Sequence, residues 1–210
     1  MRASRFIGVL CACVLAAAAQ AQVVYSNVIA TVAFTPKGFE EIEWTTQGSM
    51  NEIIDFLTGQ VPVIVGDSTE HTTATVNIIY EAHSSFAIGQ IGMVIQGSVF
   101  DWGRITWTEL VEDMNNSNEV IGTAEGQFLG AAYKGGENGP INFHDILTLD
   151  TASTDIKVKK AFILDIADQG LPSTSLAALS LVEQNLIPEP SSILALAAPL
   201  ALLAVRRRRR

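Results

Sequence analysis

Glu40, Glu41 and Glu43 crowd one short stretch, where an extended backbone puts Glu41 and Glu43 on the face opposite Ile42 and Trp44. Hydrolysis of a glycosidic bond needs two carboxyl groups at a controlled separation, one of them held protonated. Twenty-one acidic residues lie between positions 22 and 187, so close pairs arise by chance and none is singled out as catalytic. Asp67-Ser68-Thr69-Glu70, Asn115-Asn116-Ser117-Asn118-Glu119 and Asp165-Ile166-Ala167-Asp168 each offer loop oxygens to Ca²⁺, but none has the spacing of an EF-hand. No other cofactor is expected. His71, His83 and His144 fit neither H-x-H nor H-E-x-x-H, so they read as strand or surface residues and no metal ligand is assigned. G-x-S-x-G, the phosphate-binding loop and the dinucleotide fingerprint are all missing. Trp102, in Asp101-Trp102-Gly103, sits at an expected turn where an indole can stack on a sugar ring; Trp44 and Trp107 alternate with polar neighbours and read as core.

The elements that would position these residues are strands. Ala74, Val76, Ile78, Tyr80 and Ala82 alternate with polar residues, as do Ile91, Met93, Ile95 and Val99. Ile105, Trp107 and Val111 repeat the pattern, and so do Val158, Phe162, Leu164 and Ile166. A period of two marks half-buried antiparallel strands. Fainter strands are expected over 23–34, 41–46, 61–65, 120–132 and 141–149, with turns at His83-Ser84-Ser85 and Gly135-Gly136-Glu137-Asn138-Gly139-Pro140. Ser49-Met50-Asn51-Glu52 fits a capping box, followed by Ile53, Ile54 and Leu57 and a stop at Gly59, which predicts one short helix. Leu176 to Leu186 has helical propensity but is read as a last strand running into the tail. Eight to ten short strands predict an all-β fold, an antiparallel β-sandwich with the jelly roll as one arrangement, occupying residues 22–186.

The ends carry an address. Arg2 and Arg5 precede the apolar run Phe6 to Ala19, and Ala19-Gln20-Ala21 gives the small-x-small pattern of signal peptidase, so residues 1–21 read as a signal peptide cleaved after Ala21. Ser191 to Val205 carries no charge; as a helix it would reach about 22 Å against roughly 30 Å of hydrocarbon. Arg206, Arg207, Arg208, Arg209 and Arg210 then form a cytoplasmic stop, since each arginine at mid-membrane costs about 2.5–3.5 kcal/mol. Pro188 and Pro190 hold the chain extended around Glu189.

Pro188-Glu189-Pro190, the apolar segment from Ile193 and the terminal arginines together resemble the PEP-CTERM sorting signal of exported bacterial proteins. The resemblance covers residues 187–210, about a tenth of the chain. It implies recognition by an exosortase-like membrane enzyme, transient residence in the inner membrane of a Gram-negative-type bacterium, and delivery to the outer surface or a polysaccharide matrix. Pro188, Glu189 and Pro190 would be the processing motif.

Between the two ends only six basic residues face the twenty-one acidic ones, a net charge of about −15, which argues against nucleic acid and anionic lipid as partners. Cys11 and Cys13 both lie in the signal, so the exported part has neither disulfides nor thiol chemistry. The sequence therefore predicts a non-enzymatic, exported surface or matrix protein; a carbohydrate-binding module, or a glycan-active hydrolase, are the alternatives.

Overall fold

The computed structural model describes residues 22–36, 38–57, 62–66, 69–166 and 174–189. The expected signal peptide with Ala19 and Ala21, the apolar tail segment, Pro190 and Arg206 to Arg210 lie outside the described residues, as do Gly59, Asp67 and Asp168. Among the described residues no helix is long and apolar enough to cross a membrane.

Among the described residues ten strands follow in order: β1 (Val23–Thr35), β2 (Gly38–Glu41), β3 (Trp44–Gln47), β4 (Ile53–Phe56), β5 (Val63–Gly66), β6 (Thr73–Phe100), β7 (Gly103–Asp113), β8 (Glu119–Leu129), β9 (Gly139–Ile166) and β10 (Leu176–Pro188). Every ladder is antiparallel. β6 and β9 are 28 residues each and pair with one another along nearly their whole length. Their ladder breaks at His83/Ile88 and Ile88/Gln90, and there the ribbon folds back on itself. The register proves the reversal. Thr73, at the start of β6, and Arg104, just after its end, are both partners of Asp165.

Folding the ribbon over makes two layers. In one, residues 73–83 and 155–166 are flanked by β1 with β2 on one side and by β7 with β8 on the other. In the second, residues 88–100 and 139–148 are flanked by β10, which carries β4 and β3 along one stretch and β5 along another. Tyr80, Ile78, Phe162, Leu164 and Ile105 project from the first layer, Ile91, Ile95, Leu179, Val182 and Leu186 from the second, all without solvent exposure. Each such side chain contributes roughly 1.5–3 kcal/mol of burial. The expected all-β, antiparallel architecture stands. What the sequence read as separate strands around His83-Ser84-Ser85 is one continuous bent strand.

The expected helix is absent. Residues 53–56 form β4, held between β3 and β10 in the register Phe56↔Val182, Asp55↔Glu183 and Ile54↔Gln184. The apparent capping box closes a hairpin instead: Asn51 at φ 55° donates its N–H to the Gly48 carbonyl, and the Glu52 carboxylate accepts the Met50 N–H at 2.8 Å. A helix here would leave β10 without its neighbour and bury less of Ile54 and Phe56, so pairing overrides the local signal. Among the described residues the one helical turn is Met114–Asn116.

Two ends of the sandwich now have distinct contents. The bend pole holds the fold in β6 and β9, the start of β1 (Val23↔Ser84) and the end of β10 (Pro188↔Ile88). The loop pole holds the Asp101-Trp102 turn and the 130–138 loop, joined by Gly130 N–H to Gly103 O and Ala132 N–H to Asp101 O.

Candidate functional site

At the loop pole an open groove of about 760 Å³ runs between the two layers, bounded by Gln127–Leu129 of β8, residues 139–143 of β9 and the loop from Lys134 to Asn138. Among the described residues β8 pairs only with β7, and the first half of β9 only with β6, so both walls are strand edges. Phe128 and Phe143 line it with ring centroids 5.5 Å apart in an edge-on arrangement, and Phe143 leans on Trp107 at 5.7 Å. Glycine at 126 lets the indole lie flat against the strand, because a Cβ would come within 2.7 Å of Trp107 Nε1. Gln127, Asn138 and Asn142 supply exposed amides, and Lys134 and Glu137 one charge of each sign.

The loop that frames the groove is clamped by one side chain. Asn138 Oδ1 accepts the Asp101 N–H at 2.6 Å and the Ala131 N–H at 2.9 Å, and its Nδ2 donates to Asp101 Oδ1 at 3.1 Å. Asp101, at φ 50°, also accepts from Thr174 Oγ1, and these donors hold its carboxyl below the ordinary range. The sequence marked this segment only as a turn. The Asn-Gly-Pro run was a signal for chain reversal, not for a clamp between two loops.

Trp102 does not line the groove. Its indole is half-buried and meets Tyr133 edge-on at 5.4 Å, the Tyr133 hydroxyl donating to the Trp102 carbonyl at 3.2 Å. Trp107 is core, as expected, but Trp44 is 43% exposed, because β3 is a four-residue strand that, among the described residues, only β4 flanks. Glu40 and Glu41 lie exposed on β2 and Glu43 beyond it. Pro188 is the last residue of β10, and Glu189 donates its N–H to Ala87 O at 2.8 Å; the strand does run into the motif.

Among the described residues no three His, Cys, Asp or Glu side chains converge to hold a metal ion. In the Asn115–Glu119 loop the Asn115 amide already donates to Ser153, Thr154 and Asp155, and Asn116 to Glu119, while Asp165 is paired with Arg104 at 3.0 Å.

Two further polar clusters were not visible as such in the sequence. On the outer face of the first layer, His83 Nδ1 lies 2.6 Å from Asp155 Oδ1 and its Nε2 lies 3.3 Å from Ser26 Oγ. Thr154, His83 and Asn115 together hold the Asp155 carboxyl below its ordinary value. The order Ser–His–Asp matches a nucleophile chain, but the Ser26 hydroxyl also reaches Glu81 Oε2 at 3.4 Å. A carboxylate beside the nucleophile opposes any oxyanion, so the cluster serves as a surface hydrogen-bond chain.

The other cluster is sealed between the layers. Lys160 and Glu109 face each other across the β7–β9 ladder, Nζ to Oε2 at 3.2 Å, both with side chains at 0% exposure. Gln184 of β10 donates to Glu109 Oε1 and accepts from the Tyr80 hydroxyl at 2.8 Å. Burial pushes the Lys160 ammonium below its ordinary value, with Glu109 opposing the shift. A nearby pair on the outer face of the second layer, Asp55 and Glu183, has both carboxyls raised, each chiefly by burial.

No protein-family model and no curated protein matches the chain. Several solved structures share a distant likeness. An enzymatically active domain of a tailspike protein of bacteriophage CBA120 aligns at TM-score 0.35 and 10% identity over 77% of this chain, which spans 20% of that chain. TmCBM61 in complex with β-1,4-galactotriose aligns at 0.33 and 10% over 75% of this chain and 91% of that one. The carbohydrate-binding module CBM36 in complex with calcium and xylotriose aligns at 0.31 and 12% over 78% and 99%.

Proposed function

We propose that this is an exported, non-enzymatic protein of the cell surface or extracellular matrix that binds polysaccharide in the groove between β8 and β9. Its tail is sorted by exosortase-type processing. The observation that carries the reading is placement. Val23 and Glu189, where the chain enters and leaves the described domain, both sit at the bend pole, and the groove opens at the loop pole. A domain tethered through Glu189 would turn the groove away from the membrane.

The lining suits a neutral polymer. Side-chain amides donate and accept together, as sugar hydroxyls do, so Gln127 and Asn142 can each serve two hydroxyls, while Asn138 holds the loop that frames them. Phe128 and Phe143 add an apolar strip for the C–H face of a ring. Trp102 would supply a second contact from the far side of the loop. Signal peptidase and an exosortase-like enzyme act on the two ends. Because Glu189 is hydrogen-bonded to Ala87, capture of Pro188 and Glu189 requires the last rung of β10 to open first.

Affinity electrophoresis of the full chain in gels containing neutral soluble polysaccharides tests the binding. The double variant Gln127→Ala, Asn142→Ala should lose most of the retardation; equal mobility shifts for both proteins would sink the reading. Replacing Pro188, Glu189 and Pro190 should leave the full-length form in the membrane fraction, and unchanged release on an immunoblot counts against processing at this motif.

A further inference from the structure

Lys160, Glu109, Gln184 and Tyr80 have the composition and contacts of an amide-transfer centre. An amine becomes a nucleophile when burial disfavours its ammonium form, and burial acts on Lys160 in that direction. A carboxamide becomes a better electrophile when its oxygen accepts a fixed hydrogen bond, and Tyr80 donates to Gln184 Oε1 at 2.8 Å. A proton relay must touch both the amine and the leaving nitrogen. Glu109 does: Oε2 is 3.2 Å from Lys160 Nζ, and Oε1 accepts from Gln184 Nε2. The amine is also on the correct side of the core. Lys160 Nζ lies 2.7 Å from Met93 Sδ, and Met93 is the cross-strand partner of Gln184 in the opposite layer. All four side chains are sealed from solvent, so hydrolysis does not compete.

We propose that Lys160 and Gln184 condense into an intramolecular isopeptide bond that ties the two layers together. The Glu109 carboxylate takes one proton from the Lys160 ammonium. The freed lone pair adds to Gln184 Cδ, placing negative charge on Oε1 beneath the Tyr80 hydroxyl. Glu109 delivers its proton to Nε2 and accepts a second from Nζ. Collapse restores the carbonyl, breaks the Cδ–Nε2 bond and expels ammonia, which takes up the proton left on Glu109. One N–C bond forms, one breaks, and nothing is oxidised or reduced. The exported part of the chain has no cysteine, so this link takes the place a disulfide would have in another secreted domain.

Intact-mass measurement on the purified full chain, referred to its determined termini, reads the outcome directly. The expected mass is lower than the sequence mass by one ammonia, and a protease digest should contain one branched peptide joining the Lys160 and Gln184 segments. Glu109→Gln should restore the full mass. Lys160→Arg should do the same. An unshifted mass for the folded wild-type chain overturns the proposal whether or not either variant folds. A deficit of one water, with Lys160 joined to Glu109, also overturns it.

Discussion

The sealed cluster and the open groove are built from the same kinds of side chain, amides, one carboxylate, one lysine and aromatic rings, yet they stand in opposite solvent. In the cluster, Gln184, Glu109 and Lys160 are engaged with one another, Tyr80 and Met93. In the groove, Gln127, Asn142 and Lys134 face water. The lesson is that a polar group inside the sandwich is bound to its neighbours by desolvation, whereas the same group at the rim stays available to a ligand.

Breaking the sealed side should give the largest effect. Lys160→Met forbids the link to Gln184 and leaves the Glu109 carboxylate buried opposite an apolar side chain, a loss of at least about 3–5 kcal/mol. Adding Glu109→Leu should recover the part due to the lone charge, though not the part due to the missing link, because an apolar pair costs less than a lone charge. Urea midpoints of the two variants measure this, and a double variant no better than the single one would mean the cluster is not an isolated electrostatic unit.

Asp55 offers an intermediate case. Its carboxyl and that of Glu183 are both raised chiefly by burial, and the charge of Asp55 raises Glu183 further. The native state therefore holds a proton that the unfolded chain releases. That contribution is present below the ordinary carboxylate range and disappears as pH rises through the raised native values. Asp55→Asn removes the need for the proton, so it should raise the melting temperature at about pH 7 and have little effect at about pH 4. An equal change at both would exclude titration of this pair as the cause.

At the groove the stability effect should be smallest. Asn142→Ala touches an exposed side chain and should change unfolding by less than about 0.5 kcal/mol, while mobility in polysaccharide gels falls. A variant that loses stability and binding together would place Asn142 in the scaffold instead of the site.

Much of the sandwich was legible because alternation is a local property. Tyr80, Ile95, Trp107 and Phe162 all face the core as their parity requires. The same parity held an unread signal. Glu109 stands between Trp107 and Val111, Lys160 between Val158 and Phe162, and Gln184 between Val182 and Leu186, each a polar residue at an inward position. Three inward polar residues on three strands are a statement about a shared interior partner. Which strands bring them together is not in any one of those patterns. The helix expected near Glu52 failed for the converse reason: Ile53, Ile54 and Phe56 suit either element, and β10 lay too far along the chain for a local pattern to register.

Sequence alone determined the period of the strands, the acidic and cysteine-free interior of the chain, and the character of its two ends, because charge and side-chain alternation need no partner to exist. Only tertiary structure decided that the β6–β9 ribbon folds over, that Lys160, Glu109 and Gln184 meet across two layers, and that two strand edges part to leave a groove. Those outcomes depend on which strands pair over separations of many tens of residues, and the free energy that selects the pairing is released only when the layers close.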